Sequence, residues 1–364
     1  MEQCNLSSNS PYFQEAITTF IEGDVLYKAM LDSIYTATNE ILIESYIFEL
    51  DVIGKQFIEA LNHKAKQGVV IKLHLDAVGS HKRAKGEQFE QLLDANITLK
   101  WFNRWRWQNP LQFNVRNHRK LLLIDRKSVF FGGFNIQKDN SKHHFGKTRW
   151  RDSHLKIDSD IVELFCRYFD DLWHKRRQTY LGNFDGLDLI PNLSINCRYL
   201  LRCRLNQLIE SAESQLLCTT PYFLPDEFLI KALIKAAQRG VDVQLLVPYQ
   251  SDHQLINVLA EKYYTRLIQA GINIYAYLPR LLHAKTLVID NKMVMIGSAN
   301  MDYRSLFINH ELMCLFKSKT LAQEMTQCFV IDKLDAKQIT AKTKYMIKQW
   351  WLWRPLAALL KHWL

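Results

Sequence analysis

Two histidines and two lysines recur in this chain at one spacing. His118-x-Lys120 and His283-x-Lys285 each open a stretch of eighteen residues, HRKLLLIDRKSVFFGGFN and HAKTLVIDNKMVMIGSAN, offset by 165 positions. The same offset aligns Asp125 with Asp290, Gly132 with Gly297 and Asn135 with Asn300. A lone His-x-Lys is common and mostly structural, but two copies in register signal a site built twice. At neutral pH an imidazole, with a reference pKa near ~6.5, serves as a nucleophile or as an acid and base. Lysine ammonium and asparagine amide groups suit the non-bridging oxygens of a phosphate and the charge that builds on them. No cluster with metal-ligand spacing is recognisable, so neither a metal nor a cofactor is expected.

Each copy reads as a β-hairpin, with an apolar strand, a polar pair (Arg126-Lys127 or Asn291-Lys292) and a second apolar run. A two-residue turn would set His118 opposite Asn135 and Lys120 opposite Gly133, with His283 opposite Asn300 and Lys285 opposite Ser298. His and Lys two apart project from one face of a strand, and the small residue opposite each lysine would leave room for a phosphate. Asp125 and Asp290 fall on the other face and are expected to hold the hairpin or the partner half through ion pairs. A nucleophilic imidazole needs its second ring nitrogen fixed by a hydrogen bond. The candidates are Asp152, 34 residues after His118, and Glu311, 28 residues after His283, one following each motif.

The elements that must position these residues also come in duplicate. NEILIESYIF (39–48) and SQLLCTTPYF (214–223) are strand patterns ending in Tyr and Phe, and each leads to an amphipathic helix closing at Gly68 or Gly240. A glycine there is a plausible helix C′ cap. Second strands follow from Val69 and Val241, then another helix and a short strand, ITLKWF or INIYAY. The alternation predicts an α/β fold with two pseudo-twofold-related halves, each with a mixed, largely parallel sheet, and the active site between them. The crossover is placed in 179–200. The expected divisions are 1–180 and 181–340, one motif in each, with a tail at 341–364.

The 364 residues are 48% hydrophobic, which excludes intrinsic disorder and suits two cores. Lys and Arg number 47 against 37 Asp and Glu, and the net charge of +10 points to an anionic partner such as nucleic acid, phospholipid or a phosphorylated metabolite. The seven cysteines contain no C-x-x-C pair and read as buried, reduced thiols. The polar start, Met1–Ser10, lacks a signal-peptide pattern, and no apolar run reaches the eighteen or so residues of a membrane span. The segment from Met346 to Leu364 carries four of the nine tryptophans among Lys348, Arg354, Lys361 and His362. Leu356, Leu359, Leu360 and Trp363 there share one helical face, which suits a bilayer interface. Trp101, Phe102, Arg104, Trp105, Arg106 and Trp107 interleave rings and guanidinium groups in a pattern fit for an interface or for stacking single-stranded bases.

The paired H-x-K-x(4)-D-x(6)-G-[G/S]-x-N motifs resemble those of the phospholipase D superfamily. YIFELDVIGKQFIEAL and GVVIKLHLDAVGS, followed by the two motifs, are similar to the bacterial cardiolipin synthases, in particular to a shorter branch lacking two N-terminal transmembrane helices. The resemblance spans roughly residues 20 to 335. It implies a phosphatidyltransferase working through a phosphohistidine, with His118 as nucleophile and His283 as general acid and base. It also implies a catalytic set of His118, Lys120, Asp125, His283, Lys285 and Asp290, with phosphate held by Lys120, Lys285, Asn135 and Asn300. The implied partners are phospholipids (phosphatidylglycerol and phosphatidylethanolamine), rather than nucleic acid, and a membrane surface reached through the tail, at the cytoplasmic face of the cell membrane. The rival activities are phospholipase D hydrolysis to phosphatidic acid and, from another class, a superfamily nuclease.

Overall fold

The computed structural model describes residues 17–80, 86–105, 107, 113–184, 186–194, 197, 199–251 and 254–340. The tail at 341–364, Arg106 and Cys4 lie outside the described residues. The first sheet is formed by β1 (Ile17–Phe20), β2 (Glu40–Ser45), β3 (Val70–Asp76), β4 (Ile97–Phe102), β5 (Leu121–Ile124), β6 (Ser128–Gly132) and β7 (His154–Asp158). Its strand order is β1-β7-β6-β5-β2-β3-β4. The later strands are β8 (Asn183–Phe184), β9 (Leu187–Pro191), β10 (Gln215–Thr219), β11 (Phe223–Leu224), β12 (Asp242–Pro248), β13 (Asn273–Tyr277), β14 (Thr286–Ile289), β15 (Met293–Gly297), β16 (Met301–Asp302), β17 (Leu312–Phe316) and β18 (Ala336–Ile339). They build a second sheet in the order β18-β13-β12-β10-β14-β15-β17-β9-β8, while β11 and β16 pair separately.

The expected mixed α/β architecture with two similar halves is what the chain adopts. Within the two large sheets parallel pairing is confined to β2-β3-β4 and to β10-β12-β13, the other pairs there being antiparallel, while the short β11-β16 pair is parallel. The physical reason lies in the connections. Helical crossovers such as Val52–Lys66 and Glu227–Gln238 return the chain parallel, whereas each motif folds back on itself as a hairpin. Asp51 and Asp226 cap those helices by accepting backbone N–H bonds, and Gly68 and Gly240 end them at positive φ, as the spacing predicted.

Three apolar clusters hold the molecule together. One sits under each sheet, and the third is shared, with Phe131, Phe165 and Phe169 from the first half packing with Leu282, Val294 and Phe316 from the second. Phe131 and Phe316 stack across the junction with ring centroids 6.3 Å apart. A buried ring of this size contributes roughly 1.5–3 kcal/mol, so the contact between halves is a core and not a wet interface. Of the described cysteines, Cys166, Cys218 and Cys314 are buried, Cys197, Cys203 and Cys328 are half-buried, and all six are free thiols. No described helix is long and apolar enough to cross a membrane.

Candidate active site

The hairpins differ from the expected register by one residue. Ile124 pairs with Ser128 and Ile289 with Met293, so the turns have three residues, Asp125-Arg126-Lys127 and Asp290-Asn291-Lys292. The first two residues of each turn have left-handed φ, from 50° to 56°. The aspartate side chains explain why the strain is tolerated. Asp125 accepts the N–H groups of Thr38, Asn39 and Glu40 at 2.7–2.8 Å, and Asp290 accepts those of Ser214 and Gln215 at 2.7 and 2.9 Å. Partial burial pushes each carboxyl pKa up, but the backbone amides outweigh it and hold both below the usual carboxylate range. The expected ion pairs are replaced by hydrogen bonds from backbone amides of the same half. These aspartates of the catalytic motif stand at the turn end of their hairpins, away from the histidines, and pin β2 and β10 to the hairpin.

At the other end each histidine meets a carboxylate, and the pairing is crossed. His118 Nδ1 lies 3.0 and 3.1 Å from the two oxygens of Glu311, and His283 Nδ1 lies 2.5 Å from Asp152 Oδ2. The expectation of one carboxylate following each motif holds for identity and fails for partnership: every histidine is oriented by the opposite half. The backbone enforces the exchange. His118 N donates to His310 O at 2.9 Å, one residue before Glu311, and His283 N donates to Arg151 O at 2.7 Å, one residue before Asp152. Arg151 is itself locked to Asp332 of the second half at 2.8 Å, and Arg304 reaches Asn114 of the first.

An ionised carboxylate only accepts, so each Nδ1 carries the proton and the lone pair is left on Nε2. Burial pushes the His118 pKa down to about 4, against the pull of Glu311, and burial together with Lys285 lowers that of His283. For Asp152 and Glu311 burial acts upward, but the neighbouring cations and histidines prevail, and both carboxyls stay below the usual range. Both imidazoles are therefore neutral near pH 7 and both carboxylates charged. Lys120 and Lys285 are 3% and 2% exposed, and each donates to the carbonyl of the histidine two residues earlier, Lys120 at 2.7 Å. Burial pulls the Lys120 ammonium down to about 7.

The one-residue shift takes Gly133 and Ser298 out of the positions opposite the lysines, and each has a different purpose from the one expected. A side chain at Gly133 would overlap the Asp152 carboxylate, so the space there belongs to the orienting acid and not to a phosphate. Ser298, its counterpart, donates to Glu311 at 2.5 Å, and Ser305 donates to the other Glu311 oxygen at 2.9 Å. Asn135 and Asn300 are buried beside the motifs. Asn135 Oδ1 accepts from Ile47 N at 3.2 Å, and its carbonyl lies 2.5 Å from the Tyr27 hydroxyl. Asn300 Nδ2 donates to Asp302 at 3.2 Å, while its Oδ1 is buried without a protein partner.

Sequence reasoning missed four contributors. Tyr46 stands edge-on to His118 at 4.8 Å, and Trp150 tilts over His283 at 5.1 Å. Tyr46 was visible as the tyrosine near the end of the first strand pattern, with Tyr222 in the second, whereas nothing in the sequence marked Trp150. Asp76 ends β3 and accepts Asn117 N at 2.9 Å, which fixes the strand entering His118. Ser305 has no counterpart in the repeat that would have singled it out.

Two neutral imidazoles, each on a buried carboxylate and flanked by lysines, at the junction of two duplicated α/β halves, define an enzyme of the phospholipase D superfamily. Residues 30–173 and 205–332 match the family described as "Cardiolipin synthase, PLD-like domain". The chain is 33% identical to a cardiolipin synthase of Clostridium perfringens, over 93% of this chain and 74% of the relative, and 31% identical to cardiolipin synthase A of Pseudomonas entomophila, over 90% and 70%. Among solved structures, phosphatidylserine synthase of Haemophilus influenzae Rd KW20 shares the fold, with a TM-score of 0.72 at 14% identity over 96% of this chain and 92% of that one. The chain belongs to the PLD-like cardiolipin synthase family and is a phosphatidyltransferase.

Proposed function

We propose that the chain makes cardiolipin, moving a phosphatidyl group from one phospholipid to a hydroxyl of phosphatidylglycerol. His118 Nε2 attacks phosphorus, the phosphodiester bond to the head-group alcohol breaks, and the alcohol leaves with the Nε2 proton of His283, which acts from its imidazolium form, stabilised by Asp152 and the anionic phosphate, and returns to the neutral form. His283 then takes the proton of the incoming phosphatidylglycerol hydroxyl, whose oxygen displaces His118 from phosphorus. With phosphatidylglycerol as donor the products are cardiolipin and glycerol, and no nucleotide is consumed. Lys120, Lys285, Asn135 and Asn300 hold the non-bridging oxygens through the trigonal-bipyramidal stage.

The crossed histidine–carboxylate pairs carry this reading, and their inequality supports the division of roles. Glu311 shares its charge with two serine hydroxyls, so it stabilises a charged His118 less and leaves that imidazole a neutral nucleophile. Asp152 meets His283 through one short contact and has Ser153 N as its other donor at 2.8 Å, which suits a histidine that must hold a proton.

The functional divisions are residues 1–180 and 181–340, with 341–364 as a peripheral anchor at the cytoplasmic face of the cell membrane. The test is the product mixture from purified enzyme and phosphatidylglycerol. Cardiolipin with equimolar glycerol is expected, whereas phosphatidic acid without cardiolipin would make the enzyme a hydrolase. Plasmid cleavage lost in His118→Ala would make it a nuclease.

A further inference from the structure

The catalytic histidines are 8% and 5% exposed, and each lies just before the first strand of its hairpin, at the end of the sheet where the neighbouring loops form a rim. β2, β3 and β4 run parallel, and β6 runs the same way because it is antiparallel to β5, which is antiparallel to β2. The loops leaving all four strands therefore surround His118, as the contacts of Tyr46 and Asp76 with that segment show. On this rim stand several exposed apolar groups. After β4, Trp107 is 88% exposed and Trp105 49%. The two rings meet edge to face at 5.8 Å, and Trp105 rests on Phe113 at 5.2 Å, five residues before His118. Val78 follows β3 at 39% exposure, Phe145 follows β6 at 38%, and Leu278 follows β13 at 50% on the side of the second half. Lys142 and Lys147, both exposed, flank Phe145.

We propose that this rim is a membrane-docking surface, with Trp105 and Trp107 entering the interface of an anionic phospholipid bilayer and Lys142 and Lys147 facing its head groups. The proposal rests on the phosphatidyltransferase reading and adds a docking element to it that is separate from the C-terminal tail. An exposed Trp pair braced by an aromatic base gains by entering the head-group layer, where the ring is apolar and the indole N–H stays wet. Phospholipids with long chains are delivered from a bilayer, so phosphorus reaches two buried imidazoles only if the mouth of the site abuts that bilayer. The rim places apolar rings and cations at that mouth, and the excess of ten positive charges selects an anionic surface.

The experiment uses the full chain, its Trp107→Ala form and the Trp105→Ser/Trp107→Ser double variant. Binding is measured by sedimentation with phosphatidylglycerol–phosphatidylcholine vesicles and with pure phosphatidylcholine vesicles. Turnover is measured on vesicle lipid and on a water-soluble aryl phosphodiester. Trp107→Ala removes an exposed ring and leaves the core intact. It should weaken binding to anionic vesicles about tenfold and lower vesicle turnover to match, while the soluble diester reacts at the wild-type rate. The double variant should lose more. Unchanged vesicle binding in both variants would overturn the proposal, as would loss of single-stranded DNA binding with vesicle binding retained. A wild-type chain that binds vesicles through Trp107 but makes no phosphatidyl product would leave docking in place and sink the transferase reading instead.

Discussion

The first half places Gly133 beside its orienting acid, and the second places Ser298 at the matching position. Gly133 leaves room for the short Asp152 side chain, which reaches across to His283 with one oxygen. Ser298 fills the corresponding space and donates to Glu311, a longer acid whose two oxygens straddle His118 Nδ1 and are shared with Ser305. The motif histidines and lysines are the same in both halves; what differs is the neighbourhood of each carboxylate. A duplicated site thus acquires unequal imidazoles without any change in its reacting groups, and it is along that difference that we propose attack and proton transfer to separate.

The comparison is tested most severely by removing each imidazole. His118→Ala should lower turnover by at least about 10⁴-fold with no covalent adduct, as expected when a nucleophile is lost. His283→Ala should be as inactive on lipid, yet should accumulate adduct with an aryl diester whose leaving group needs no proton. Equal adduct yields in the two variants, read by intact mass, would erase the distinction. Next comes the junction that permits the exchange of carboxylates. Arg151→Leu leaves Asp332 buried without its partner and should destabilise the chain by about 3 kcal/mol, measured by denaturant unfolding.

The carboxylate neighbourhoods can then be interchanged. Gly133→Ser forces its side chain into Asp152 and should reduce kcat about 10²-fold with little change in unfolding midpoint, whereas Ser298→Gly only unmasks charge on Glu311 and should cost less than about tenfold. Equal losses would show that the two settings are equivalent. The smallest effect is expected from pH. Lys120, lowered to about 7 by burial, is cationic below that value and neutral above it. The kcat/KM should therefore fall on the alkaline side, by about tenfold per unit well above pH 7. Lys120→Arg should abolish that limb by keeping the charge, even at a lower plateau rate.

Much of this arrangement was legible in the sequence because duplication made it visible. His118, Lys120, His283 and Lys285 were marked by a shared offset, and the α/β halves by strand patterns that recur with their helices. Asp152 and Glu311 were found from the need for an orienting acid. Their exchange was not legible, because partnership depends on how two halves dock, and that is set by the shared Phe131–Phe316 core and the bridges at His310 and Arg151. The hairpin register slipped by one because Asp125 and Asp290 adopt left-handed backbone and extend each turn to three residues. Only the amides they collect from Thr38–Glu40 and from Ser214–Gln215 explain that conformation, and those contacts span more than seventy residues.

The central claim is that a phosphatidyl group rides on His118 between donor and acceptor. The direct measurement is to mix the wild-type chain with phosphatidylglycerol, quench in alkali, where phosphohistidine survives, and map the adduct by peptide mass spectrometry. The expected result is phosphatidyl mass on the His118 peptide, decaying as cardiolipin appears. An adduct on the His283 peptide, or cardiolipin formed at full rate in the absence of any adduct, would contradict it.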